Sequence, residues 1–324
     1  MPGVGADKAR PWHLAACIAR GGRRAASLIA CAALIAGNSL PAAAAEGTPT
    51  ADPPALVGRV ARVSGPVVMR PPGTAAWADA VLNYPVTSGS AFWTGTDGQL
   101  GVEIGASRVA LDSGTELDIA TLDEQQASVS EPRGAVFLDL RGGQPRDGYR
   151  LATPRGAVRM AVSGEYEIVA GDAQAPTRVV VVRGAADLSS GDLSLHAGAG
   201  QMIVVFGSQP FGGEVQPMPG ADAFLSAMLA RAPSETPVPA LAGAMTGGAD
   251  LSAYGAWQAS QDWGEAWFPD VGPDWVPYGD GQWSFVAPWG WTWIDAEPWG
   301  FAPFHYGRWA RSGRRWCWVP GEPG

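Results

Sequence analysis

Residues 281–295 read Gly-Gln-Trp-Ser-Phe-Val-Ala-Pro-Trp-Gly-Trp-Thr-Trp-Ile-Asp. Side chains two apart share a strand face, so Trp283 and Phe285 belong to one face of a first strand and Trp291 and Trp293 to one face of its return. Pro288-Trp289-Gly290 between them has turn chemistry. The stretch predicts a β-hairpin with aromatic rings facing each other across its strands. The same pattern recurs on both sides at a fixed spacing. Gly255, Gly281 and Gly307 lie 26 apart, each followed two residues on by Trp257, Trp283 or Trp309. A second tryptophan closes each copy at Trp267, Trp293 or Trp318, and the third copy turns at Ser312-Gly313 with Trp309 facing Trp316 or Trp318. A short unit repeated at one period buries its apolar face against its neighbours, which predicts three stacked hairpins.

Two uses of these rings compete. An indole buries a large area, and a module of some seventy residues needs that area for a core. On this reading the register residues Gly255, Trp257, Trp267, Gly281, Trp283, Trp293, Gly307, Trp309 and Trp318 are structural, with Trp283, Trp293 and Trp309 in the core. Rings outside the register are free for contact with a ligand. Trp289 and Trp299 lie beside turn glycines and, with Tyr306, form the candidate aromatic platform for a sugar or peptide.

The rest of the chain is equally poor in helical periodicity. Its 324 residues include 44 Gly and 28 Pro, so turns are frequent and an all-β protein is expected. From Leu56 to about residue 207, short β-branched runs alternate with glycine turns: Val57–Val63, Val67–Arg70, Gln99–Ile104, Arg108–Leu111, Ala135–Leu140, Arg178–Arg183 and Gln201–Val205. Strands so short and so close imply a sandwich or a solenoid. One helix is expected over Asp222–Arg231, capped by Asp222, with Phe224, Leu225, Met228 and Leu229 on its apolar stripe, closing the open end of the β-domain. Residues 232–253, rich in Pro, Gly and Ala, are expected to be a flexible linker.

The first 45 residues have the form of a signal peptide. Arg20, Arg23 and Arg24 precede an apolar run from Ala25 to Ala36, and Pro41-Ala-Ala-Ala-Ala45 supplies small residues for cleavage before Glu46. The run is too short for a membrane helix, which needs roughly 20 apolar residues. Leu28-Ile-Ala-Cys31 resembles a lipobox and offers the alternative of an outer-membrane lipoprotein. Residues 46–55 then form a tether, 56–231 a β-domain, and 254–324 the hairpin-repeat domain. Cleavage removes Lys8, Arg10, Arg20, Arg23, Arg24 and Asp7, and leaves 17 Arg against 30 Asp plus Glu, a net charge near −13. Nucleic-acid partners and anionic membrane surfaces are disfavoured by that balance. Cleavage also leaves Cys317 as the remaining cysteine, which excludes an internal disulfide.

The segments Tyr149-Arg-Leu-Ala-Thr-Pro-Arg-Gly-Ala-Val-Arg159, Gly164-Glu-Tyr-Glu-Ile-Val169 and Thr177-Arg-Val-Val-Val-Val-Arg-Gly-Ala-Ala-Asp-Leu188 resemble the FecR domain family over about residues 85–206. Leu195–Val205 is similar to that family's closing Ala-Gly-Gln strand. The resemblance implies a compact β-solenoid, and the valines on both faces of 179–182 fit a strand covered on both sides. The sequence departs from the family at Glu165 and Glu167 around Tyr166, and at Arg183 before Gly184. Sigma-factor regulators of the family carry a helical segment and a membrane span before this domain, and residues 1–55 resemble neither. The resemblance thus implies an exported recognition or scaffolding domain. Residues 254–322, above all Val286 to Trp309, resemble a proteobacterial family of uncharacterised Trp-rich exported domains often found after FecR-like domains.

Catalytic chemistry has little to stand on. Asp295 and Glu297 are two apart, whereas the carboxyl pair of a glycosidase spans a cleft at about 5–9.5 Å. His196 and His305 are the histidines of the mature chain, without a Cys cluster or an HExxH motif, so neither a metal nor another cofactor is expected. The sequence therefore predicts a non-catalytic, periplasmic or secreted envelope protein that binds or scaffolds a glycan or protein partner. The alternatives are a periplasmic sensory co-regulator and a glycan-active enzyme.

Overall fold

A computed structural model of the chain describes residues 56–142, 145–231 and 238–321. The expected signal peptide and the tether at 46–55 lie outside the described residues.

Residues 56–217 form two nine-stranded sheets. The first runs, edge to edge, Gly212–Pro217, Gln201–Phe206, Thr177–Arg183, Gly164–Val169, Ala135–Leu140, Ser107–Leu111, Gln99–Ile104, Gly58–Ser64 and Pro85–Val86. The second runs Leu193–Gly198, Ala185–Ser190, Gly156–Met160, Tyr149–Thr153, Ala127–Arg133, Glu116–Leu122, Ala91–Thr94, Val67–Arg70 and Ala78–Asp79. The chain shuttles between them, commonly a hairpin at a time: Gln99–Ile104 with Ser107–Leu111 in the first sheet, then Glu116–Leu122 with Ala127–Arg133 in the second. Solenoid coils would stack their strands in parallel. Here Tyr149–Thr153 runs parallel to Ala127–Arg133, and the other pairings are antiparallel, so the domain is a sandwich.

Strict alternation builds the core between the sheets. Leu100, Val102 and Ile104 point inward from one strand and Val109 and Leu111 from its neighbour, where they meet Leu117, Ile119 and Leu122 of the facing sheet. Thr177–Arg183 is apolar on both faces. Val179 and Val181 enter this core, and Val180 and Val182 face the other way, against the helix Ala223–Ala230. Asp222 caps that helix as expected, its Oδ1 accepting from Leu225 N at 2.9 Å. The helix does not plug an open end. It lies on the outer face of the first sheet, where Phe224, Leu225 and Met228 cover Phe137, Val180, Met202 and Val204, and Leu229 stays out of the stripe.

Three hairpins form in the C-terminal part, but they do not stack as one set. Gly255–Ser260 with Gly264–Pro269 and Arg308–Ser312 with Arg315–Val319 join into a four-stranded sheet through the pairing of Trp267 with Trp318. The second hairpin, Gly281–Val286 with Gly290–Asp295, forms a sheet of its own. Its face opposite the rings carries Val286 and Ile294, and both join the core of the sandwich. Aliphatic side chains fit that aliphatic core, and the second copy alone places two of them there.

The segment expected to be a flexible linker is ordered over residues 238–253. Ala242, Met245 and Leu251 pack into the tryptophan cluster. Thr246 ties the segment to the sandwich, its Oγ1 donating to Val57 O at 2.6 Å and accepting from Gly105 N at 2.7 Å. Small residues alone suggested flexibility, but buried small residues let backbone pack closely. Residues 232–237 lie outside the described set.

Candidate functional site

The repeat begins with a glycine for a steric reason. A Cβ on Gly255 would stand 2.7 Å from the Trp267 ring, and one on Gly281 2.6 Å from the Trp293 ring, so in both copies the closing indole packs against bare backbone. Gly307 serves a different end: its φ of +61° and the nearness of Val319 O demand glycine without any ring above it. Each closing indole also has its N–H satisfied. Trp267 Nε1 donates to Leu251 O at 2.8 Å, Trp293 Nε1 to Asp295 Oδ2 at 2.9 Å, and Trp318 Nε1 to Tyr306 O at 2.7 Å.

In the four-stranded sheet the register residues line up as one row, Trp257, Trp267, Trp318 and Trp309, on one face. That row is covered. Trp299 packs edge-on to Trp267 at 5.0 Å and stacks on Phe304 at 6.3 Å, and Trp275 closes on both Trp299 and Trp309. Trp299 is therefore core, 2 % exposed, and not part of a surface platform. Its neighbouring glycine suggested a turn tip, but the turn folds inward over the row. Tyr306 is half-buried, its phenol held up in pKa by burial while Thr246 bonds to it, so it too is engaged in packing.

The three most exposed rings are on the second hairpin. Trp283 stands opposite Trp293 and Phe285 opposite Trp291, four rings on one face of a two-stranded ribbon. The pairs meet edge-on at 5.6 and 6.1 Å. Trp283 is 59 % exposed, Phe285 65 % and Trp291 71 %, whereas Trp293 is buried under Tyr278. Trp283, expected in the core from its register, is thus at the surface, because the hairpin docks through its opposite, aliphatic face. Trp289, on the turn, is exposed as expected. Of the three expected platform residues it alone stays at the surface, and Phe285 and Trp291 join it from outside the expected set. Residues 281–294 include no charged side chain.

A buried polar junction holds this hairpin in place. Arg59, fully buried on the strand Gly58–Ser64, donates through Nε to Glu103 at 2.9 Å, through Nη1 to Asn83 Oδ1 at 2.8 Å and to Pro298 O at 2.9 Å, and through Nη2 to Asp250. Asn83 Nδ2 in turn donates to Asp295 O at 3.0 Å and Glu297 O at 2.7 Å. Two sandwich side chains thereby grip the end of the second hairpin. A guanidinium taken out of water needs all of these partners.

The candidate acid/base residues fall in this junction. Asp295 is buried and accepts from Trp293 Nε1 and from Glu297 N at 3.0 Å, and burial pushes its carboxyl up to about 6. His305 lies against Phe301 at 4.4 Å, and burial lowers its imidazole to about 4. His196 is exposed beside Asp187, 2.7 Å away. Cys317 is buried among Ala266, Phe268, Ala310 and Val319, on the face opposite Trp316 and Trp318, and burial raises its thiol pKa. Among the described residues no group of three or more His, Cys, Asp and Glu could hold a metal ion, and no helix is long and apolar enough to cross a membrane.

Residues 248–323 match a family of unknown function, DUF6600. No curated protein matches the chain. Among solved structures, a candidate anti-sigma factor from Parabacteroides distasonis ATCC 8503 is similar at 15 % identity over 43 % of this chain and 64 % of that one, with a TM-score of 0.35. A second such structure from the same organism is similar at 17 % identity over 38 % and 55 %, with a TM-score of 0.30. The chain spans less than two thirds of the length of either.

Proposed function

We propose that the protein is an exported, non-catalytic binding protein of the cell envelope, whose contact surface for envelope glycan is the aromatic face of the second hairpin. One observation carries the reading: Trp283, Phe285 and Trp291 are 59–71 % exposed on a ribbon that is itself anchored by buried groups. Isolated exposed rings are ordinary, but a contiguous exposed apolar patch marks an interaction surface. The ribbon is anchored through Val286, Ile294 and the Asn83 hydrogen bonds without any ligand, which lowers the cost of ordering it on binding. Ring faces accept the apolar faces of sugars without charge, which suits an aromatic face formed within residues 281–294, where no side chain is charged. The FecR-like resemblance of residues 85–206 supports the same exported recognition role, and the signal-peptide features of residues 1–45 support export across the inner membrane.

Retention on isolated cell wall tests the reading. The mature chain should sediment with the wall, and the triple variant Trp283→Ala, Phe285→Ala, Trp291→Ala should remain in solution with its melting temperature nearly unchanged. Equal retention of the variant would sink the proposal. Mass spectrometry of the protein from its native cells should find an N-terminus near Glu46; an intact Met1, or lipid on Cys31, would overturn the assignment of a cleaved, soluble export product.

A further inference from the structure

Charge in the Trp-rich part is segregated. From Asp250 to Glu297 there are eight acidic residues and no Arg or Lys; from residue 298 to 321 there are four arginines, Arg308, Arg311, Arg314 and Arg315, and no acid. All four arginines are exposed, and none is ion-paired among the described residues. Of the thirteen described arginines elsewhere, six, Arg59, Arg70, Arg108, Arg133, Arg141 and Arg183, are paired with carboxylates, and two of these, Arg70 and Arg133, also lie over rings. On the third hairpin rings take that place: Arg308 lies over Trp263 at 5.3 Å, Arg311 over Trp316 at 4.7 Å and Arg315 over Phe268 at 4.6 Å. Stacking holds a guanidinium plane and leaves its N–H edge free for an anion.

Beside this turn is a cleft of about 220 Å³ between the third hairpin and residues 269–275, lined by Asp274, Trp275, Arg314, Arg315 and Trp316. Drug-sized ligands occupy roughly 300–1,000 Å³, so the cleft suits a single small ring. We infer that it is a second binding site, for a sugar unit bearing a carboxylate or phosphate. The three lining chemistries match the three parts of such a unit. Indole meets the apolar face of the ring, the guanidiniums of Arg314 and Arg315 take the anion in charge-assisted hydrogen bonds, and the Asp274 carboxylate accepts from hydroxyls while repelling the anion from its own end. A flat anionic membrane suits neither a concave site nor a chain with a net charge of −9. The inference does not depend on the aromatic face of the second hairpin.

Binding of the full mature chain to four probes tests it: polygalacturonate for carboxylate, a phosphomannan for phosphate, neutral dextran, and vesicles containing anionic phospholipid. Binding to one of the two acidic polysaccharides and not to dextran is expected, the better one identifying the anion. Arg314→Ala with Arg315→Ala should weaken it at least about tenfold, since both charge-assisted contacts go. Arg314→Ala alone keeps the ring contact of Arg315 and serves as the variant least exposed to folding effects; it should weaken binding in the same direction. Asp274→Asn separates a built site from net charge: weaker binding supports the site, and tighter binding overturns it. Trp283→Ala with Trp291→Ala should leave polygalacturonate or phosphomannan binding unchanged, so failure of the aromatic-face reading and failure of this one are distinguishable. Binding to neither acidic probe, equal binding to dextran, an undiminished double-arginine variant, or capture by vesicles alone would each overturn the inference.

Discussion

The first and second hairpins are copies of one pattern with opposite fates. Trp257 pairs with Trp267 and Trp283 with Trp293, each pair 26 residues from the other and each opened by a glycine that the closing ring lies against. Yet Trp257 is packed edge-on against Trp318 at 6.0 Å, and Trp283 is 59 % exposed. Their neighbours differ. The first hairpin gains the third at its edge and Trp299 over its Trp267 ring, while the second turns Val286 and Ile294 to the sandwich and leaves Trp283 and Trp291 outside. A repeat specifies a local shape and a pair of faces. Which face is buried is settled by what lies next to it.

The comparison breaks first at the largest effect. Trp267→Ala removes a fully buried ring and its hydrogen bond to Leu251 O, and should cost about 3–5 kcal/mol in chemical denaturation. A loss as small as that of an exposed ring would mean that the four-ring row is not a core. Next is the anchor that holds the second hairpin. Arg59→Met leaves Glu103 and Asp250 without their cation and should cost about 3 kcal/mol, near the low end for a broken buried pair because Asp250 stays partly solvated. Hydrogen exchange should then rise across residues 281–295; protection equal to the wild type would show that the aliphatic contact alone holds the hairpin.

A smaller effect sharpens the contrast between the interiors. In the sandwich, burial and the nearby Asp222 and Asp112 push Glu167 up to about 7, and in the Trp-rich part burial lowers His305 to about 4. For Glu167 the folded state holds its proton more tightly than the unfolded state, so its contribution is complete below about 4.5 and is lost as pH rises through about 7. For His305 the folded state resists protonation, and stability falls as pH drops from about 6.5 towards 4. Between pH 8 and 7 the melting temperature should rise as pH falls, because the imidazole is largely neutral in both states there. Glu167→Gln should flatten that limb, and an unchanged slope would exclude Glu167 as its source. The smallest effect belongs to the exposed rings: Trp291→Ala should change stability by less than about 1 kcal/mol, as surface substitutions do. A cost comparable to that of Trp267→Ala would place the ring in an unseen core and remove the basis for the proposed contact surface.

Much of the architecture was legible from local chemistry. The turn at Pro288-Trp289-Gly290, the facing pairs of the second hairpin, the Asp222 cap and the two-faced strand around Val179–Val182 all follow from residue type and period, and all occur. Trp299 is inside despite its glycine neighbour and Trp283 outside despite its register, because burial of both depends on contacts across the chain and not on position along it. A signal for Trp283 was present: the hairpin's other face carries Val286 and Ile294, the side chains suited to an aliphatic core. The arginines of the third hairpin were legible as a count but not as a cluster over rings, because those rings come from two hairpins: Trp263 and Phe268 from the first, Trp316 from the third.

The sequence by itself determined the strands, their faces and the glycines that admit the closing rings, because period-two alternation, turn residues and steric contact within a hairpin act over a few residues. Tertiary structure alone decided the sandwich over the solenoid, the ordering of residues 238–253, and which rings meet water. Those outcomes rest on partners far apart in the chain, such as Arg59 with Asp250 and Pro298, or Thr246 with Val57 and Gly105. Burial is a property of such a pair of surfaces, and one strand's pattern names only its own half.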